Sequence, residues 1–316
     1  MDMIFPSETK LLETISRVTP HVHQTPVITS SFINKLTGAE VVFKCENFQK
    51  MGAFKMRGAI NAILQLSEAQ KKAGVVTHSS GNFAQALSLA AKNLGVKAYI
   101  VMPSNAPTVK KEAVKGYGGI ITESEPTLQA REAAASKIER EKGATFLHPS
   151  NNLDVILGQG TAASELLKKH SDLNAIFTPV GGGGLIAGTA LSVHYFGKNC
   201  RTIGGEPMAA DDAFRSLQSG KIETNTTANT IADGLKTNLG DVNFPIIQQL
   251  VSDIIRVEET EIKAAMQLLW ERLKLVTEAS SAVPLAALIR DRHRFKGEKV
   301  GIVLSGGNVD LLNLPF

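Results

Sequence analysis

Lys55 stands in the stretch GAFKMRG, between Phe54 and Met56 and bracketed by Gly52 and Gly58. A lysine is ordinarily a surface residue that keeps its ammonium in water. Apolar neighbours change that, because desolvation disfavours the charged form and lowers the pKa. An amine without its proton is a nucleophile toward aldehydes and a base toward carbon acids. The second feature is a run of glycines, Gly181 to Gly184, after AIFTPV and before LIAGTALSVHYFG. A glycine turn between strand and helix brings several backbone N–H groups close to an anion, and the helix start adds partial positive charge. No Lys-Ser/Thr pair follows, so this is not a Walker loop. Gly182, Gly184 and Ala187 do satisfy G-x-G-x-x-A, with Glu206 downstream, at roughly the 20-residue spacing of a dinucleotide site. A nicotinamide dehydrogenase would leave Lys55 unexplained. Pyridoxal phosphate carries both an aldehyde and a phosphate, and would use both features: Lys55 at one end and the glycine turn at the other.

Both features need elements to hold them. From Gly74 onward, short apolar runs alternate with amphipathic stretches. GVVTHSSGN reads as a strand entering a glycine turn, and FAQALSLAAKNLG as the helix after it. Further strands are expected at VKAYIVMP, GGIITES, ATFLHPS, AIFTPV, TIGGEP, DIIRV and KVGIVLSGG, with helices between them, including 259–273 and about 280–291. Strands alternating with helices imply an α/β fold with parallel sheets covered on both faces. Two glycine-containing turns, at 79–82 and 181–184, predict two sheets, each offering a site at its C-terminal edge. The expected division is a small domain, 74–150, inserted between the two parts of a large one, 1–73 and 151–316.

Composition narrows the function. The chain has 316 residues, 43% hydrophobic and 20% charged, the profile of a soluble globular protein of one large domain or two ordinary ones. The net charge of +4 is not gathered into a Lys/Arg block interleaved with aromatics, which argues against nucleic acid as a partner. No apolar run reaches the ~18 residues of a membrane span. MDMIFPSETK lacks the basic region and apolar core of a secretory signal. Cys45 and Cys200 form no CxxC pair, so free thiols and a cytoplasmic location are expected.

The stretches KCENFQKMGAFKMRGAINAI, THSSGNFAQALSLAA, TPVGGGGLIAG, TIADG and VLSGGN, in this order, resemble the fold-type II pyridoxal phosphate enzymes. The resemblance covers nearly the whole chain and looks closest to the serine racemase and threo-3-hydroxyaspartate ammonia-lyase branch. It implies a two-domain, tryptophan-synthase-β-like architecture with the cofactor in the interdomain cleft. It also implies racemisation of a small β-hydroxy amino acid, serine, accompanied by β-elimination to pyruvate and ammonia. The alternatives are threo-3-hydroxyaspartate ammonia-lyase, a catabolic serine/threonine dehydratase and, further off, β-replacement as in cysteine synthase. By the same resemblance Lys55 forms the Schiff base and acts as base on one face, Phe54 packs near the ring, and Asn82 meets the phenolic oxygen. Gly181, Gly182, Gly183 and Gly184 cradle the phosphate, and Ser305 meets the pyridine nitrogen. Ser79, Ser80, Gly81 and Asn82 form the substrate-carboxylate loop, and Ser80, where dehydratases of the family usually have alanine, is the second acid–base group. Arg131 resembles a substrate clamp, and Asp233 is expected near the substrate hydroxyl or a catalytic water.

Three further expectations come from the resemblance. Glu206, the carbonyl of Ala210 and Asp212 match a divalent-metal site suited to Mg²⁺, or to Ca²⁺ or Mn²⁺. Ser30, Ser31, Lys50 and Tyr117 resemble a site for ATP as an activator, at the interface of a homodimer. Phe83 departs from the family, which usually has histidine there; the change removes a polar group beside the loop. The chain ends soon after VLSGGN, so no C-terminal regulatory domain of the biosynthetic threonine dehydratase kind is expected.

Overall fold

A computed structural model describes residues 5–315. Among the described residues ten strands are formed: β1 Val27–Thr29, β2 Glu40–Cys45, β3 Val75–His78, β4 Ala98–Pro103, β5 Ile120–Ser124, β6 Thr145–Phe146, β7 Ala175–Pro179, β8 Arg201–Pro207, β9 Asp253–Val257 and β10 Lys299–Leu304. They make two sheets, one in the order β1-β2-β10-β7-β8-β9 and the other β5-β4-β3-β6. Every pairing is parallel except that of β1 on β2. The second sheet is built wholly from residues that lie between β2 and β7 in the chain.

The strands at the centre of the large sheet are buried along nearly their whole length, as strands covered on both faces must be. Helices Glu259–Leu268 and Ala279–Arg290 pack on one face, with Phe177 and Phe295 edge to face at 4.9 Å in the core between. On the other face lie helices Leu153–Lys169 and Gly184–Phe196. These two cross backbone to backbone, since a Cβ on Gly160 would lie 2.5 Å from the Gly188 carbonyl oxygen. Residues Gly184–Val193 are buried on every side, and the sequence is correspondingly apolar all round.

Helix Lys55–Leu64 joins the two halves. Met56, Ala59, Ile60 and Ile63 pack with Val75, Phe83 and Leu87 around the small sheet. Arg57 on the same helix is wholly buried and donates to Glu46 and Glu165 at 2.7 Å each. Lys44 of β2 completes the cluster with a 2.6 Å bond to Glu165.

The first 73 residues carry elements that the alternation did not assign: β1, β2 and helices Glu8–Val18, Ser31–Thr37, Lys55–Leu64 and Glu68–Ala73. The reason is visible in β2, EVVFKC, where the buried Lys44 interrupts an otherwise apolar run and is satisfied by Glu165 and the Thr25 carbonyl. Two other elements are shorter than expected. The strand read from ATFLHPS pairs over Thr145–Phe146 alone, leaving His148–Ser150 as a loop. Pro149 there has no N–H for a ladder. The helix expected at 259–273 keeps its α form to Leu268 and widens into a π turn over Leu269–Leu273. Among the described residues no helix is long and apolar enough to cross a membrane. Cys45 and Cys200 are free, and burial pushes their thiols up to about 12 and about 11, far from reactive.

Candidate active site

Ser79 follows β3, Gly181 lies just past the end of β7 and Ser305 follows β10, so three parallel strands deliver their C-terminal ends to one place. Lys55 is tied to the same edge. The Phe54 N–H donates to the Ser305 carbonyl at 2.9 Å, and Ala53 bridges Gly306. Lys55 then opens its helix, and its Nζ donates to the Pro149 carbonyl at 2.8 Å. The Phe54 and Phe83 ring centroids lie 5.0 and 5.9 Å from Nζ. Burial lowers the lysine to about 8, with the charge of Glu278 opposing the fall. About a tenth of the amine is therefore neutral at pH 7, against well under a thousandth at the ordinary lysine value. Phe83 has a definite place here: it is 2% exposed and forms an apolar wall on the lysine.

Loop 148–150 runs from the lysine to the glycine turn. A side chain on Gly182 would collide with Ser150 Oγ, so the turn lies directly against the loop. Gly183 has φ +80° and caps the 13-residue helix that follows. Wholly buried Asn243 holds both parts, its Nδ2 donating to the Gly182 carbonyl at 2.8 Å and the Ser150 carbonyl at 3.1 Å. Gln159, also buried, reaches the Pro149 carbonyl at 3.4 Å and leaves its Oε1 unpartnered beside Gly184.

Asn82 begins the helix after the SSGN loop. Its Nδ2 donates to both Glu278 oxygens at 3.0 Å, and its Oδ1 accepts from Asn308 at 2.8 Å. Ser305 Oγ is 3.0 Å from Ser281 Oγ and 2% exposed. Ser79 Oγ accepts from the Gly81 N–H at 3.4 Å. Ser80 is half-buried, and among the described residues its hydroxyl makes no hydrogen bond. The structure thus gathers Lys55, Phe54, the SSGN loop, the glycine turn and Ser305.

The remaining candidates are placed differently. Asp233 forms a 2.6 Å ion pair with Lys110, which crosses from the helix Thr108–Gly116 of the small-sheet side. Arg131 bonds the Thr127 carbonyl of its own helix at 3.4 Å and hydrogen-bonds none of the SSGN residues. Its charge does reach His78 at the end of β3, which burial first and Arg131 second hold below the usual histidine value. Glu206 caps the helix Asp212–Ser219, accepting from the N–H groups of Ala213 at 3.0 Å and Phe214 at 2.8 Å. A glutamate so engaged is not presented to a ribose, and the dinucleotide reading fails at this residue. Glu206 and Asp212 are both wholly buried, and burial and then Asp212 push Glu206 well up. Burial pushes Asp212 up to about 6. Neither carboxyl has an ion-pair partner among the described residues, and Ala210 lies in the turn between them. No third His, Cys, Asp or Glu joins them among the described residues, so a metal there would need carbonyl and water oxygens. Ser30 caps the helix Ser31–Thr37, Lys50 donates to the His21 carbonyl at 2.8 Å, and Tyr117 packs against the small-sheet core. No hydrogen bond joins these to one another.

Three residues outside the motifs also shape the site, Asn243, Glu278 and His148, together with Asn308, the last residue of VLSGGN, to which no role was assigned. His148 Nδ1 accepts from the N–H groups of Ser150 at 3.2 Å and Asn151 at 2.8 Å. Burial, with His78 and Lys55 adding, holds it down to about 4, so it is neutral and carries its proton on Nε2. A signal existed for Glu278: it stands at a helix N-cap where Ser, Thr, Asp or Asn is usual, inside the apolar run LVTEASSAVPLAA.

A lysine amine in apolar surroundings and a glycine turn opening a long helix fit the aldehyde and phosphate of pyridoxal phosphate. Relatives agree. The chain is 49% identical over 306 residues to the serine racemase of Dictyostelium discoideum, covering 96% of this chain and 94% of that one. It is 46% identical over 314 residues to the beta-hydroxyaspartate dehydratase of Paracoccus denitrificans, covering 99% and 100%. The maize serine racemase structure superposes with a TM-score of 0.93 at 45% identity, over 95% of this chain and 93% of that one. Residues 18–306 match the family described as "Pyridoxal-phosphate dependent enzyme", and the chain belongs to it.

Proposed function

We propose that the chain is a serine racemase with an accompanying serine dehydratase activity. The observation that carries this is the lysine amine walled by Phe54 and by Phe83, the residue that directly follows the SSGN loop, whose Ser80 hydroxyl is unbonded. Pyridoxal phosphate, when bound, supplies an electron sink for the substrate's α-carbon. Lys55, Asn82, the Gly181–Gly184 turn and Ser305 hold it, with Phe54 beside the ring. The N–H groups of Ser79–Asn82 bind the substrate carboxylate at the helix start. Lys55 takes the α-proton of L-serine, and the Ser80 hydroxyl delivers a proton to the opposite face. In the reverse direction Ser80 takes it and Lys55 returns it. Departure of the β-hydroxyl instead of reprotonation leads to pyruvate and ammonia. Residues 74–150 act as a small domain that closes on the rest of the chain and carries Arg131 toward the substrate. Asp233, opposite Lys110, lies on the substrate side of that closure.

The test follows D-serine and pyruvate together from L-serine. Wild type is expected to form both. Ser80→Ala is expected to keep pyruvate and lose D-serine by at least about 100-fold, the lower range for one acid–base group. Pyruvate alone from wild type overturns the racemase assignment.

A second reading, threo-3-hydroxyaspartate ammonia-lyase, is favoured by the end-to-end match to the Paracoccus dehydratase. It predicts fast turnover of hydroxyaspartate with negligible D-serine.

The same reading places Mg²⁺, or Ca²⁺ or Mn²⁺, on Glu206, Asp212 and the Ala210 carbonyl as a structural ion, since two buried carboxyls without a cation are costly. Added Mg²⁺ is expected to raise the Tm of chelator-treated protein, and Asp212→Asn to remove that response. An unchanged Tm in wild type counts against the site. ATP at Ser30, Ser31, Lys50 and Tyr117, a homodimer and a cytoplasmic location complete the proposal by analogy with the family.

A further inference from the structure

Asn308 follows the last strand and has no part in the reaction above, yet its bonds reach three other parts of the cleft. Its side-chain Nδ2 donates to the Met51 carbonyl at 2.9 Å and to Asn82 Oδ1 at 2.8 Å. Its backbone N–H donates to the Glu278 carboxylate, whose two oxygens accept from Asn82 Nδ2 at 3.0 Å each. One residue thus ties together the turn before Lys55, the SSGN loop and the start of the helix Ala279–Arg290. The turn is shaped to receive it. Met51 has φ +56° and Gly52 φ +76°, two left-handed residues in succession. A methionine is strained in that conformation and keeps it only where its surroundings hold it. A Cβ on Gly52 would lie 2.8 Å from Asn308 Oδ1, and the Gly307 N–H donates to the Gly52 carbonyl at 2.9 Å.

A side-chain amide is nearly symmetric in shape, with an acceptor at one end and a donor at the other, so its neighbours decide which end points where. For Asn82 the choice matters, because only its NH₂ can donate to an oxygen. Glu278 alone does not make that choice. Ionised, a carboxylate only accepts and holds the NH₂; protonated, it also donates and can take the amide oxygen instead. Burial, and then Asp233, push this carboxyl up to about 7, with Lys110 and Lys55 the cations that bear on it. Both forms therefore exist near neutral pH. The Met51 carbonyl has no second form, since a backbone carbonyl accepts at every pH. It fixes Asn308 with the NH₂ toward Met51, and the same NH₂ then faces Asn82, where only an oxygen can meet it. Asn82 is left with its own NH₂ toward Glu278. The two oxygens of one carboxylate lie side by side, so one hydrogen of that NH₂ serves both and the second remains free.

We propose that Asn308 is a positioning residue that fixes the direction of the Asn82 amide, so that Asn82 presents N–H to the phenolic oxygen of the cofactor whether or not Glu278 is charged. The inference rests on the reading of Asn82 as the partner of that oxygen and adds what sets its direction. The order of the lock runs from Met51 to Asn308 to Asn82: an acceptor that cannot change, an amide held by it, and a second amide held by the first.

The experiment titrates the cofactor-free full-length chain with pyridoxal phosphate and, separately, with its 3-deoxy analogue, which lacks the phenolic oxygen. Wild type is expected to favour pyridoxal phosphate. Asn308→Ala and Asn82→Ala are each expected to cut that preference by about 10–100-fold, the range for one hydrogen bond to an ionised group. A purely structural role for Asn308 weakens both ligands alike and leaves their ratio at the wild-type value. That ratio in Asn308→Ala, with the preference lost in Asn82→Ala, overturns this inference alone. An unchanged ratio in Asn82→Ala overturns the reading of Asn82, and this inference with it. Should Asn308→Ala not fold, neutron diffraction from deuterium-exchanged wild-type crystals at pH 6 and pH 8 decides, since it tells an amide nitrogen from an oxygen. Asn82 Nδ2 is expected to face Glu278 at both values, and a reversed amide at pH 6 refutes the lock. Neither readout depends on the products formed from serine, so failure here and failure of the racemase reading are separate results.

Discussion

Replacing Lys55 with alanine is expected to remove turnover of L-serine, by at least about 10³-fold, while leaving the fold intact. The chemical part of the loss follows from the role proposed above for Lys55: a positioned base contributes about 10²–10⁴-fold, and the proposed covalent anchor for the cofactor is lost with it. The intact fold follows from the geometry. The ammonium has one hydrogen-bond acceptor, the Pro149 carbonyl, and is otherwise walled by Phe54 and Phe83. Its ordinary value is lowered to about 8, which means that the folded state disfavours its charge. By linkage, a lowered lysine costs stability at neutral pH, a cost that disappears as pH rises through the ordinary lysine value. Cofactor-free Lys55→Ala is therefore expected to melt at or above the wild-type temperature at pH 7. Activity, the visible cofactor band and Tm are the three measurements. A variant that turns over serine within tenfold of wild type would show that Lys55 is not the base.

Arg57, two residues on, has the opposite profile. Replacing it with methionine is expected to cost about 3–5 kcal/mol of stability, the range for one partner removed from a buried ion pair, and roughly 10 °C of Tm. Arg57 and Glu46 are both wholly buried, and Glu46 also accepts from Thr25 at 2.6 Å. Burial alone would raise Glu46, but the charge and hydrogen bonds of Arg57 outweigh it and hold the carboxyl below its usual value. The sign of the pH dependence is then fixed. This contribution is present above the ordinary glutamate value of 4.5 and is lost as pH falls below it. Methionine leaves Glu46 without its main cation, so the variant should lose this acid sensitivity along with the stability. Thermal melts from pH 4 to 8 test both statements. A loss under about 1 kcal/mol would mean that Lys44 takes over as the partner of Glu46.

Much of this was legible in the residues. Regular alternation from β3 onward, and the glycine turns at 79–82 and 181–184, announce two parallel sheets whose edges meet. Lys55 and Gly181–Gly184 announce an amine and an anion cradle by type alone. What could not be read lies where side chains act through others. Asn243 holds the glycine turn from some 60 residues downstream, and no spacing rule connects the two. Glu278 and Asn82 are far apart in the chain and meet only because the start of the helix Ala279–Arg290 and the SSGN loop converge. Arg131 shows another limit: the structure bonds it to its own helix, and the closure proposed to carry it to the substrate has no signature in the residues around it. The first 73 residues escaped pattern reading because their buried charges, Lys44, Glu46 and Arg57, break the hydrophobic period that such reading uses.

Among the polar links between the small-sheet side and the large-sheet side, two differ in kind. Lys110–Asp233 lies on the rim, 31% and 52% exposed, whereas Asn82–Glu278 is enclosed. At physiological ionic strength the screening length is about 8 Å, short enough for dissolved salt to weaken the rim pair and leave the inner one untouched. Protons act the other way, since the inner link holds a carboxyl that titrates near neutrality. The cleft therefore answers separately to two properties of its medium: ionic strength at its rim and acidity in its interior.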